Sequence, residues 1–354
     1  MRNTEAPNPV LVEVLRGKTV ESRHAGAVAI SDADGRLVLA LGDVERPVFP
    51  RSAVKAMQAI PLVESGAANA FGLGDEELAV ACASHSGDLV HVEAVQSLLA
   101  KAGLDESYLA CGAHWPVSDK AMRELMRSGR AAQAIHNNCS GKHAGMLAAA
   151  VHLGFEPRGY ERPEHPLQVL IRGIISETCG IALARDGMGV DGCSVPTWPL
   201  PLAALARGFA RLCTGEDLPP ARAEAARRLR DACFVKPVLV AGEGRFDTIA
   251  MRALAPDLFV KGGAEGVHCA ALPGLGLGIA LKIDDGAKRG TERAMAEVIA
   301  ALLPKTRRAL AEPLEGEIFN WRGISVGRIA AAPALLYGLT GLETTPRHRA
   351  GAAR

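Results

Sequence analysis

The sequence predicts an α+β protein, with an antiparallel sheet built from both chain ends and a helical middle. Two observations carry this. Short apolar, β-branched runs occupy the first 50 residues and return after residue 257, whereas the stretch between them has helical periodicity. The elements also do not alternate strand by helix, as a doubly wound parallel sheet would require. The expected division is residues 8–51 with 235–340 as a sheet domain and 52–234 as a mainly helical domain.

Val10–Leu15, His24–Ile30 and Leu37–Leu41 read as strands. The spacer 31–36 contains Asp34-Gly35, a strong hairpin signal. Residues 43–51, with Pro47 and Pro50, read as loop. From Ser52 the period becomes helical, with Val54, Met57, Ile60 and Leu62 apolar and Ser52 at a cap position. Further helices are expected over 75–83, 88–102, 118–127, 140–153, 165–178, 200–213 and 220–233. Pro220 suits a first helical position. Strands return over 258–260, 266–272 and 277–283, then a helix over 291–303 that Pro304 stops. One last strand is expected within 317–329. Residues 343–354 are polar and basic and read as a disordered tail.

Composition narrows the function. Lys and Arg total 40 against 39 Asp and Glu, a net charge of +1, which speaks against nucleic acid or a membrane surface as partner. Hydrophobic residues make up 48% and charged residues 22%, values of a globular protein. No apolar run is long enough for a membrane span. The start, Met1 to Val10, is polar and holds two prolines, so a cytoplasmic protein with its eight cysteines reduced is expected. There is no CxxC pair, HExxH or GxSxG. Gly141-Lys142 lacks P-loop spacing.

Four clusters can carry chemistry. Ser52-Ala-Val-Lys55 places a hydroxyl and an amine at i and i+3, on one helix face. A serine needs a base to become a nucleophile, and a desolvated lysine can be that base. The plain alternative is a capping serine with a solvated lysine. Ala83-Ser-His-Ser-Gly87 offers a second hydroxyl, Ser84, or simply a capped turn. Phe259-Val-Lys-Gly-Gly263 sets Lys261 before Gly262 and Gly263, where a backbone can approach a ligand, or where an exposed lysine marks a bulge. His136-Asn-Asn-Cys-Ser-Gly-Lys-His143, with Val190-Asp-Gly-Cys193, holds residues of metal-ligand type, or else a helix start with a buried cysteine.

In this order and spacing the clusters resemble the thermolabile-type bacterial L-asparaginases of the rhizobial kind. The matching segments are 49–58, 82–87, 111–116, 136–146, 189–193 and 259–263, spread over roughly residues 8–340. The resemblance implies a fold like serine β-lactamases and serine glutaminases. It implies two Ser-Lys tandems, Ser52 with Lys55 and Ser84 with Lys261. It also implies a zinc ion held by Cys139, Lys142 and Cys193, with Arg51, His143 and Asp191 as neighbouring polar positions that, with Gly262 and Gly263, are expected to bind the substrate, and a homodimer. The implied reaction is hydrolysis of L-asparagine to L-aspartate and ammonia through an acyl-enzyme. The zinc is expected to position groups rather than generate hydroxide. Ser52 is the expected nucleophile because its lysine lies one turn away, and amides near Ser52 or at Gly262 and Gly263 are the expected oxyanion donors. Val54 and Ser86 stand where some relatives are expected to carry Cys and Asn. Another serine amidohydrolase, of glutaminase or penicillin-binding type, and a non-catalytic amino-acid-binding module are the competing readings.

Overall fold

The computed structural model describes residues 7–342, so the expected tail at 343–354 lies outside the described residues. Eight strands form one antiparallel sheet: β1 (Val10–Arg16), β2 (Thr19–Asp32), β3 (Leu37–Leu41), β4 (Phe259–Gly262), β5 (Val267–Leu272), β6 (Leu277–Ile283), β7 (Glu317–Phe319) and β8 (Ser325–Ala331). The order is β7-β8-β1-β2-β6-β5-β4, with β3 also paired to β2. Both ends of the chain therefore build the sheet, and the fold is α+β as expected. The 14-residue β2 joins the two halves. Its first half pairs with β1, and Gly26 to Asp32 pair with β6 in strict antiparallel register.

Helix Leu202–Thr214 lies across β2, β5 and β6. Gly278 on β6 permits this approach, since a Cβ there would sit 2.0 Å from Ala206 O. Buried Phe209 of this helix stacks on Phe259 of β4 in the seam, each contributing about 1.5–3 kcal/mol on removal from water. The same core continues around helix Ser140–His152, which is buried from Ser140 through Ala150. A helix buried on every side belongs inside a bundle, and this one carries Lys142 and His143 into the interior.

The expected helix from Ser52 to Leu62 is instead three short pieces: a 3-10 turn Arg51–Val54, then helices Lys55–Gln58 and Ile60–Glu64. Pro61 has no N–H to continue the ladder. Arg51 has φ 51°, a left-handed conformation uncommon outside glycine. Ser52 thus lies inside a tight turn, and Pro50 occupies the cap position. The last expected strand is a hairpin, β7 with β8. Helix Phe246–Leu254, which the sequence reading missed, bounds the site described next.

Candidate active site

A cavity of about 240 Å³ lies where the sheet meets the helical block. Ser52, Ser84, Asn138, Arg245, Asp247, Gly262, Gly263 and His268 line it, with a rim that includes Glu265, Lys288 and Glu292. Each catalytic candidate arrives from a different element. Ser52 sits on the 3-10 turn. Ser84 follows helix Asp75–Ala81, in a segment held by bonds from Ser84 N to Val240 O (2.9 Å) and from His85 N to Asn138 O (3.1 Å). Lys261 comes from β4, the strand at one end of the sheet.

Gly263 closes the join between β4 and the serine turn. A Cβ at this position would lie 2.9 Å from Pro50 O and 3.3 Å from Ala53 N. Both are backbone atoms, so only glycine lets the strand end lie against the turn that presents Ser52.

Both candidate lysines converge on Ser84. Lys55 Nζ lies 3.0 Å from Ser84 Oγ, 2.6 Å from Ala83 O and 3.0 Å from Cys139 Sγ. Lys261 Nζ lies 3.0 Å from Ser84 Oγ and 2.8 Å from Gly262 O. Lys55, although one turn from Ser52, points away to Ala83, Ser84 and Cys139. Among the described residues, Ser52 Oγ has no hydrogen-bond partner. The second tandem, Ser84 with Lys261, is in contact. The structure does not pair the first tandem, and Lys55 joins the second instead.

Both lysines are almost fully buried. Burial lowers the Lys261 ammonium to about 8; Asp247 opposes this and the Lys55 charge adds to it. The three acceptors around Lys55 match the three N–H donors of an ammonium. Lys261 has one carbonyl acceptor and the serine, the pattern of an amine that donates once and can accept the serine proton.

Asp247 and His268 are functional-site residues that sequence reasoning missed. Asp247 Oδ2 accepts from Gly262 N (2.9 Å) and lies 3.9 Å from Lys261 Nζ, while Oδ1 is 2.8 Å from His268 Nε2. Burial alone would raise this carboxyl, but His268, Lys261 and the Gly262 amide together hold it well below the usual carboxylate range. The amide of Gly262 is thereby occupied, and that of Gly263 donates to Val267 O (2.8 Å). The expected oxyanion donors on β4 are already committed.

Cys139, Lys142 and Cys193 do come together. Lys142 Nζ lies 2.8 Å from Cys193 Sγ. The Cys193 thiol donates to Cys139, which, with Lys55 and Lys142, holds Cys139 well below an ordinary thiol despite burial. The same bond and burial raise Cys193. Burial opposes the Lys142 charge, but the two sulfurs outweigh it and raise its pKa. Among the described residues no three His, Cys, Asp or Glu side chains gather as a metal site. The lysine would have to be the third donor. Two cysteine sulfurs and an amine nitrogen in contact are donor types that zinc takes, provided Lys142 and the thiols release their protons to water as the ion binds.

Of the three neighbouring polar positions, Arg51 and Asp191 bind each other. Arg51 Nε and Nη2 lie 3.1 and 2.9 Å from Asp191 Oδ1. His143 is fully buried, 2.5 Å through Nδ1 from Tyr160 Oη, and its Nε2 has no partner among the described residues. None of the three lines the cavity. All eight cysteines are buried and free, and no helix among the described residues is long and apolar enough to cross a membrane.

A family model described as L-asparaginase II matches residues 12–331, most of the chain and every residue of this site. The chain belongs to the L-asparaginase II family. No curated protein matches it. Similar solved structures of this L-asparaginase II family member include a β-lactamase from Mycobacterium bovis, 14% identical with a TM-score of 0.39 over 81% of this chain and 94% of that one. Another is Mglu in its native form, 16% identical with a TM-score of 0.40 over 81% of this chain and 63% of that one. A third is a mutant simvastatin synthase from Aspergillus terreus, 11% identical with a TM-score of 0.36 over 73% and 84%.

Proposed function

We propose that this L-asparaginase II family member hydrolyses the side-chain amide of L-asparagine, with Ser84 as nucleophile and Lys261 as general base. The supporting observation is the pair of buried lysine nitrogens, each 3.0 Å from Ser84 Oγ, beside a small cavity. Neutral Lys261 takes the Ser84 hydroxyl proton as Oγ bonds to the carboxamide carbon. The protonated lysine returns that proton to the departing nitrogen, and ammonia leaves. Lys261 then deprotonates a water whose oxygen bonds to the ester carbon, and it passes that proton to Ser84 Oγ as the C–O bond breaks, giving L-aspartate, free Ser84 and neutral Lys261. Lys55 fixes the Ser84 rotamer and supplies positive charge beside the oxygen. The Ser52 hydroxyl and the Asn138 amide, on the cavity wall, are the donors for the oxyanion, since the β4 amides are occupied.

The size of the cavity favours a small amide over a penicillin-type substrate. The rhizobial-type subclass, a homodimer and a cytoplasmic location belong to the same reading. Cys139, Cys193 and Lys142 would hold zinc, and the bound ion would supply a Lewis acid and tie the loop of Cys193 to helix Ser140–His152. The deciding experiment is ammonia release from L-asparagine by wild type and by S84A. Release by wild type that persists unchanged in S84A would refute the nucleophile, and no release by wild type would refute the activity.

A further inference from the structure

We infer that Arg245 is the residue that binds the α-carboxylate of the substrate, an inference that rests on the proposed amino-acid amidase activity. A site that cleaves the side-chain amide of a zwitterion must hold the carboxylate at the far end of the molecule. A guanidinium does this well when its donors are not already taken.

The cations near the site divide cleanly. Lys55 and Lys261 are engaged with Ser84. Arg51 spends its donors on Asp191 and lies off the cavity. Lys288 lies on the rim, largely exposed and paired with Glu292 at 3.2 Å. Arg245 lines the same cavity as Ser52 and Ser84, is half-buried, and has no carboxylate partner among the described residues. Its charge is felt by Lys261, which places it within a small substrate's length of the reacting groups. It immediately precedes helix Phe246–Leu254, which also carries Asp247, so its backbone is anchored on the element that braces β4. Asp247 and Glu265 give the same cavity negative charge, appropriate to the ammonium end of a zwitterion.

The test compares L-asparagine with 3-aminopropanamide, the same amide without its carboxylate. R245M should raise KM for L-asparagine about 10- to 100-fold, the loss expected for one charge-assisted contact. Measured on the high-pH plateau, where Lys261 is neutral with or without the Arg245 charge, it should leave kcat within about threefold and lower kcat/KM for 3-aminopropanamide far less than for L-asparagine. R245K should recover part of the loss, and L-aspartate binding measured by calorimetry should weaken in parallel with KM. An unchanged KM for L-asparagine overturns the assignment. So does an equal loss on both amides, which would mean a structural role. A wild type that releases no ammonia refutes the activity instead. Calorimetry then decides Arg245 alone: weaker L-aspartate binding by R245M supports it, while equal binding or none by wild type overturns it.

Discussion

Lys261 Nζ lies 3.0 Å from Ser84 Oγ across 177 residues of sequence, and Lys55 Nζ meets the same oxygen at the same distance. One hydroxyl therefore has two amines, and the other candidate, Ser52, has none. S84A should lower kcat by about 10³ or more, as loss of a nucleophile does. S52A should cost about tenfold to a hundredfold, as loss of one oxyanion donor can. Steady-state ammonia release measures both, and the reverse ranking would make Ser52 the nucleophile.

The pH profile follows from the lysine. Lys261 sits at about 8, so it is protonated and idle as a base below that pH and neutral above it. The kcat/KM for L-asparagine should rise with pH and level off above about 8. Asp247 is the anion that raises Lys261 against burial. D247N removes that charge, so the neutral amine persists to lower pH and the rising limb should move downward. Asparagine at this position can still accept from the Gly262 amide. A limb that stays in place would show that Lys261 is not the titrating base.

Much of the scaffold was legible because its signals are local. Asp34-Gly35 announced the β2–β3 turn, and the bounds of β6 match its apolar run residue for residue. The α+β order was readable from where periodicity changes. The breaks between residues 51 and 64 were not foreseen, because Arg51 takes a left-handed backbone with no glycine to signal it and Pro61 falls inside an apolar run that reads as one helix. Within the site, the residue types were readable and their partners were not. The i and i+3 spacing of Ser52 and Lys55 suggested a pair, yet the lysine satisfies itself on Ala83, Ser84 and Cys139, 28 to 84 residues away. Arg245, Asp247 and His268 stand in no motif, and only the meeting of helix Phe246–Leu254 with β4 and β5 makes them a group.

Zinc has its own readout. Purified protein should carry about one zinc per chain by elemental analysis, and C193S should lose it. Because Cys139 contacts Lys55 and Cys193 contacts Cys139, loss of the ion should also lower thermal stability. Wild type prepared in zinc-containing medium that carries no metal would remove zinc from the account.

Gly263→Ala tests the seam that sets the distance between Ser52 and Lys261. The new methyl would meet Pro50 O at 2.9 Å and Ala53 N at 3.3 Å. Neither backbone atom can rotate aside, so the turn or the strand end must move. Overpacking of this kind costs about 1–3 kcal/mol. Gly262, one residue earlier, is the control: a Cβ there meets its nearest neighbours, Asp247 and His268, only at 3.5 Å, an ordinary contact. Gly263→Ala should therefore lower the melting temperature and reduce kcat, because the displaced turn carries the Ser52 hydroxyl off the oxyanion. Gly262→Ala should keep the melting temperature close to wild type. Equal melting temperatures for the two variants would mean that the turn yields freely and does not fix Ser52.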